Sequence, residues 1–212
     1  MPSSISYDQV MAWIHRFADV TIEQREELTR LDTAIGDADH GTNMARGMRA
    51  AVERVDALEG DDIGAALKAV GMALVSKVGG AAGPLYGTLF LQMGNATGGR
   101  SELDLAGWSE ALDAGLKGVV ARGKAEPEDK TMVDALTPAV QALERAENDG
   151  ADLSAALAQS AEAAHEGMEK TVPLVARKGR ASYLGERSKD HQDPGATSTF
   201  YLYQTAADAL TG

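Results

Sequence analysis

The chain has 212 residues, enough to bury a substantial core without a metal staple or a disulfide. It has no cysteine, which excludes a disulfide scaffold, a thiolate zinc site and a cysteine nucleophile together. Lys+Arg 20 against Asp+Glu 32 gives a net charge of −12, which argues against nucleic acid and anionic membrane surfaces as partners.

Aromatic residues make up only 5% of a chain with 37 alanines, a composition that suits close-packed helices. Met1 to Ser6 has no basic region followed by an apolar run, so no signal peptide is expected there. No stretch approaches the roughly 20 uncharged apolar residues that span a bilayer, and the expected location is cytoplasmic. Ser6 with Gln9 forms a capping-box pattern, opening a helix with Val10, Ile14 and Phe17 on one face. Thr21 with Gln24 offers a second start, continued by Leu28 and Leu31. A third helix is expected from near Thr42 to about Gly60. A fourth, capped by Asp62, runs until Gly79 and Gly80 stop it, and a fifth begins near Pro84. Asp104, Thr131 and Asp152 are candidate caps for three more, with Pro138 expected to kink or displace the seventh. A last helix covers about Thr197 to Leu210. No alternating run is long enough to specify a strand, so the fold class is all-α, and no composition shift divides the chain, so one domain over 1–212 is expected.

The helical pattern fails in four places: Asp32 to Asn43, Gly79 to Gly87, Arg122 to Met132 and Val172 to Gly195. Loops of this kind inside a helical domain are usually functional. The first carries Asp32, Asp37 and Asp39 beside His40 and Asn43. Three carboxylates so close repel one another unless a hard divalent cation with oxygen ligands joins them, and Mg²⁺ is the usual one where phosphate shares the site. Against this stands a solvated acidic turn. The second segment, Gly79-Gly80-Ala81-Ala82-Gly83-Pro84, leads into a helix start whose free N–H groups suit an anion. It lacks the Gly-Lys-Ser/Thr of a Walker loop. Five glycines, counting Gly71 and Gly87, favour a ligand over a simple helix corner. The third segment reads by itself as a surface loop. The fourth gathers Arg177, Lys178, Arg180 and Arg187 in an acidic protein, as a lid or a polyphosphate clamp would.

In order along the chain these segments are Gly36-Asp37-Ala38-Asp39-His40-Gly41-x-Asn43, Val78-Gly79-Gly80-Ala81-x-Gly83-Pro84, Arg122-Gly123-Lys124-Ala125-Glu126-Pro127-x-Asp129-Lys130-Thr131-Met132, Ala176 to Arg187, and His191-Gln192-Asp193-Pro194-Gly195-Ala196. The string resembles the nucleotide-binding L subunits of bacterial dihydroxyacetone kinases over essentially its whole length. The resemblance implies an antiparallel eight-helix barrel with the nucleotide at one end. It implies that Asp32, Asp37 and Asp39 hold two Mg²⁺ ions and assist phosphoryl transfer without a protein nucleophile. It implies that His40, Gly41, Thr42 and Asn43, with Ala81 and Ala82, line the phosphate and ribose. Gly123 and Met132 would flank the adenine, and Arg180 with Asp193, Pro194 and Gly195 would close over the nucleotide. Relatives commonly have Ala-Ser-Gly-Pro where this chain has Ala81-Ala82-Gly83-Pro84, which removes a hydroxyl but leaves the backbone N–H. The implied cofactor is ADP or ATP. The implied partners are a dihydroxyacetone-binding K subunit and a phosphohistidine-carrying M subunit. The alternatives are an L subunit for an ATP-dependent kinase of dihydroxyacetone or another small ketose such as erythrulose, and a module that reports its nucleotide state to a transcriptional regulator.

Overall fold

The structure is a computed structural model and describes residues 4–211. The N-terminal reading of Met1, Pro2 and Ser3 lies outside the described residues. A short strand β1 (Ser4–Ser6) precedes α1 (Tyr7–Glu23), α2 (Arg25–Ile35), α3 (His40–Val55), α4 (Ile63–Lys77) and α5 (Ala82–Ala96). A second strand β2 (Glu102–Asp104) leads into α6 (Leu105–Gly123), α7 (Val133–Asn148) and α8 (Leu153–Lys170). A 3-10 segment (Arg180–Ser188) and α9 (Pro194–Ala209) complete the described residues. The strands pair antiparallel with Ile5 opposite Leu103, both buried, a ladder too short to leave an alternating signature in the sequence.

Helix packing closes a ring of neighbours: α1 on α3, α3 on α4, then each successive pair to α9, which returns to α1. Eight helices form this circuit. The ninth, α2, lies outside it, against α3, α9 and the 3-10 segment. One apolar cluster takes residues from every ring helix, among them Trp13, Met48, Phe90, Trp108, Leu136 and Leu202. At its centre Trp13 meets Trp108 edge-on, with ring centroids 5.0 Å apart, a favoured aromatic geometry.

The caps explain most helix starts. Ser6 and Gln9 form the reciprocal box. Asp62, Asp104 and Asp152 each accept from the backbone N–H three residues on, at 3.1, 2.8 and 2.8 Å. Other boundaries differ from expectation. Thr21 is not a cap: its hydroxyl donates to the Phe17 carbonyl inside α1, and the break falls at Gln24. The third helix starts at His40 and ends at Val55, short of Gly60, and the fifth starts at Ala82. Met132, not Thr131, is the N-cap of α7, although the Thr131 hydroxyl accepts from the Val133 N–H. Pro138 stays inside α7. The bond it forgoes is to the Asp134 carbonyl, and α8 packs so closely there that a Cβ on Gly167 would lie 2.2 Å from that oxygen.

Gly71 and Gly87 do not serve a ligand site. A Cβ on Gly71 would meet the Gly87 carbonyl at 2.8 Å, and one on Gly87 the Gly71 carbonyl at 3.0 Å. These glycines let α4 and α5 approach backbone to backbone.

Candidate functional site: an acidic turn, an open helix start and a basic strap

Four connections meet at one end of the ring: α2 to α3, α4 to α5, α6 to α7 and α8 to α9. They line a cleft of about 840 Å³. The remaining connections contribute nothing to it.

The first wall is the acidic turn. Asp32, in the last turn of α2, is buried, and its Oδ2 accepts the N–H groups of Asp39 at 2.8 Å and His40 at 3.1 Å. It therefore caps α3 from outside that helix. Gly36 is required by this arrangement, since a Cβ there would fall 1.9 Å from Asp32 Oδ1. Ala38 turns the chain with φ +61°, an uncommon conformation for a residue with a Cβ. Asp32, Asp37 and Asp39 each bring a carboxylate oxygen within 4.8 Å of the other two. Burial raises the Asp39 pKa, as do the charges of Asp37 and Asp32, against the lowering effect of Asn43 and Arg180. An all-oxygen set with this mutual repulsion fits a hard divalent cation.

The second wall is the α4–α5 corner. Gly80 turns with φ +64°, and Gly79 sits so near Asn43 that a Cβ would lie 3.1 Å from its amide. No side chain caps α5, so the amides of its first turn have no side-chain acceptor while Ala81 and Ala82 face the cleft.

The third wall, from 124 to 132, is a tied knot and not a plain surface loop. Lys124, Glu128 and Lys130 all have positive φ. Asp129 accepts from the Glu126 N–H at 2.8 Å, and Asp134 accepts from the N–H groups of Glu128 and, at 2.7 Å, Thr131.

The fourth wall is the stretch expected to be an aperiodic lid. It holds the 3-10 segment, broken at Gly185 with φ +55°, and α9 begins at Pro194, earlier than Thr197. Its root is closed by the Asp190 N–H on the Val172 carbonyl at 2.8 Å and by the Ala176 N–H on Ser188 Oγ at 2.8 Å. Its apolar attachment is slight: Ala176, Ala181 and Leu184 rest on Ile35. Arg180 reaches across to Asp37, Nε to Oδ2 at 2.7 Å.

A model of the DAK2 domain matches residues 34–208, a span that takes in nearly all of the cleft. The chain belongs to the DAK2 domain family. It is 46% identical over 204 residues to the PEP-dependent dihydroxyacetone kinase ADP-binding subunit DhaL of Escherichia coli, covering 96% of this chain and 97% of that one. It is 42% identical over 196 residues to the ADP-binding subunit DhaL of PEP-dependent dihydroxyacetone kinase 1 of Listeria innocua, covering 92% and 93%. The crystal structure of the C. freundii dihydroxyacetone kinase with AMP-PNP and Mg²⁺ shares the fold, with TM-score 0.72 and 24% identity. The match covers 94% of this chain and spans about a third of that kinase, 33% of its length.

In this DAK2 domain the cleft is lined by Asp32, Asp37, Asp39, His40, Asn43, Ala81, Ala82, Met132, Arg180, Asp193, Pro194 and Gly195. Gly123 lines an adjoining, mostly apolar depression shared with Met132, Pro84 and Val119. Gly41 and Thr42 line neither. Gly41 is a packing residue, since a Cβ there would lie 2.0 Å from the Arg25 carbonyl, and Thr42 is exposed. Of the four basic residues, Lys178 joins Arg180 in the lining, whereas Arg177 is spent on Asp129, Nε to Oδ1 at 2.9 Å, and Arg187 lies outside.

Two lining groups, Tyr86 and Lys130, escaped the sequence reading. Tyr86 OH is bonded to Ser198 Oγ at 2.7 Å and Thr199 Oγ1 at 3.0 Å, and Ser198 also meets His40 Nε2 at 2.9 Å. This chain orients the imidazole, whose pKa burial pushes down to about 4 despite Asp32 and Asp37, so it is neutral at pH 7. The tyrosine and lysine stand in segments whose spacing reads as ordinary helix and loop.

Proposed function

We propose that this chain is the nucleotide-binding subunit of a dihydroxyacetone kinase, forming one L-type domain in the cytoplasm. The observation that carries the reading is the acidic turn and the uncapped start of α5 lining one cleft, with Arg180 tied to Asp37. Carboxylates suited to a cation and amides suited to phosphate belong together only where a metal–polyphosphate is the ligand. The near end-to-end similarity to two ADP-binding DhaL subunits supports ADP or ATP as that ligand, and the all-oxygen carboxylate set supports Mg²⁺ as the ion, two of which we propose for the full site.

Asp32, Asp37 and Asp39 would hold the ions. When bound, Mg²⁺-ADP serves as the carrier that receives a phosphoryl group from a phosphohistidine M subunit and yields it to dihydroxyacetone on a K subunit. The chain's own groups do the rest. The amides at Ala81 and Ala82 hold phosphate oxygens, with no serine hydroxyl at position 82. Neutral His40 offers a hydrogen bond without adding charge. Met132, Leu85 and Gly123 supply the apolar surface for the base. Arg180, tied to Asp37, is positioned to exchange that carboxylate for a phosphate oxygen, a charge-assisted bond with fixed geometry. No residue of the cleft has to act as a nucleophile, because phosphoryl transfer depends on positioning and charge neutralisation.

Purified protein denatured and assayed for small molecules is expected to release ADP or ATP near one per chain. Reconstitution of stripped protein with ADP, Mg²⁺, a K subunit and a phosphohistidine donor is expected to restore transfer. Free ATP replacing the donor in every turnover would favour the ATP-dependent alternative, and absence of nucleotide together with no transfer would reject the proposal.

A further inference from the structure

Lys130 is among the largest fully buried side chains of the described residues, at 1% exposure, in a chain whose cations otherwise face solvent. Its ammonium donates to three main-chain carbonyls: Thr171 at 2.8 Å, Leu174 at 3.0 Å and Val172 at 3.3 Å. An ammonium has three donors and no acceptor capacity, so the set is complete. These carbonyls lie where α8 ends, at the negative end of its dipole and among groups with no partner in the helix. Asp193, Asp190 and Asp134 help to keep it charged against the cost of burial.

The same place joins two walls of the cleft. On one side Lys130 continues into Thr131 and Met132, both lining residues. On the other, Thr171 Oγ1 accepts from the Asp193 N–H at 3.0 Å, and the Val172 carbonyl accepts from Asp190 at 2.8 Å. One residue earlier, Asp129 holds Arg177 twice, by its carbonyl from the Arg177 N–H at 3.1 Å and by its carboxylate from Nε at 2.9 Å. The stretch between these points, Lys178 to Ala181 included, is rooted on residues 129 and 130, with Arg180 on Asp37 and Ala181 on Ile35 as its further attachments.

We propose that Lys130 is a positioning residue: its ammonium pins the first end of the basic strap, on which the second end closes through Asp190 and Asp193, to the loop carrying Met132, and so sets how long the cleft keeps its ligand. This rests on the nucleotide reading above. A neutral residue at position 130 would leave the Leu174 carbonyl without its donor and the Thr171 and Val172 carbonyls with one backbone N–H each, from Leu174 and Asp190. The strap root would loosen, and Arg180 and Asp193 would lose their fixed placement, although neither touches Lys130 through a side-chain bond.

The test uses the fluorescent analogue mant-ADP with Mg²⁺ on full-length stripped protein, followed by stopped flow, together with amide hydrogen exchange. Lys130→Met keeps the stem and removes the charge. Its dissociation rate is expected to rise about tenfold or more, the size of one lost charge-assisted bond, with the association rate within about twofold of wild type. Faster exchange is expected at 171–177 and not in α4 or α5. Arg177→Ala, whose side chain is largely exposed, removes the side-chain half of the second link without opening the core and is expected to raise dissociation about threefold. It stands as the test by itself if Lys130→Met does not fold. Unchanged dissociation in the folded variants, or faster exchange spread evenly over all helices, would overturn the proposal and leave Lys130 as a stability residue. Failure of wild-type protein to bind mant-ADP would instead strike the nucleotide reading.

Discussion

Asp37→Asn is expected to lower phosphoryl transfer about a hundredfold or more while leaving the helical fold intact. The two halves of that expectation have separate causes. Asp37 is exposed, and its recorded partner is the largely exposed Arg180, so little stability is invested in it. The melting transition is expected to move by no more than about 0.5 kcal/mol. Its oxygen nevertheless completes a set spanning 4.8 Å with Asp32 and Asp39, and asparagine offers a neutral oxygen in place of a charged one. Asp32 would be a poorer choice, because its carboxylate also caps α3 through two amides and its loss would mix folding with chemistry. Transfer measured with saturating ADP and both partner subunits, alongside a thermal melt, checks the expectation. Wild-type turnover in Asp37→Asn would return the acidic turn to a solvated loop between helices.

Asp193→Asn is expected to stabilise the nucleotide-free protein more at pH 8 than at pH 5. Asp193 is buried, and burial raises its pKa from 3.8 to about 7, helped by Asp134 and opposed by the N–H groups of Ala196 and Gly195 and by Lys130. The folded form thus keeps a proton that the unfolded chain has released between pH 3.8 and about 7. Stability falls as pH rises through that window and levels off above it. The difference between wild type and variant is expected to grow by an amount on the order of a few kcal/mol at most from pH 5 to pH 8. Asparagine keeps the cap on α9, since its carbonyl oxygen can accept from Ala196, where the aspartate now accepts at 2.7 Å. Denaturant unfolding at both pH values gives the two differences. A pH-independent difference would mean that Asp193 stays ionised in the fold, balanced by Lys130.

Legibility from sequence followed the range of the interactions. Helix caps act over three residues, and Ser6, Asp62, Asp104 and Asp152 could be assigned from spacing alone. The acidic turn was readable for the same reason, because eight residues bring Asp32, Asp37 and Asp39 together whatever the rest of the chain does. What failed was long-range. The three acceptors of Lys130 lie 41 to 44 residues away, and nothing local distinguishes a lysine that will be buried. Gly71 and Gly87 carry the same composition signal as Gly80, yet two of them serve helix contact and one a turn. Gly41 was placed at the cleft by its motif, and the structure uses it to bring α3 against α2. The separation of Arg177 from Arg180 was equally invisible, since a basic run has no pattern that says which arginine meets which aspartate.

The measurement that bears most directly on the cleft is calorimetric titration of stripped protein with ADP, with Mg²⁺ and again with EDTA. If the acidic turn and the α5 start hold one metal–diphosphate between them, ADP binds tightly with Mg²⁺ and at least about a hundredfold more weakly without it, since three carboxylates then face the phosphates uncompensated. Equal affinity in the two conditions, or no binding in either, would contradict the account.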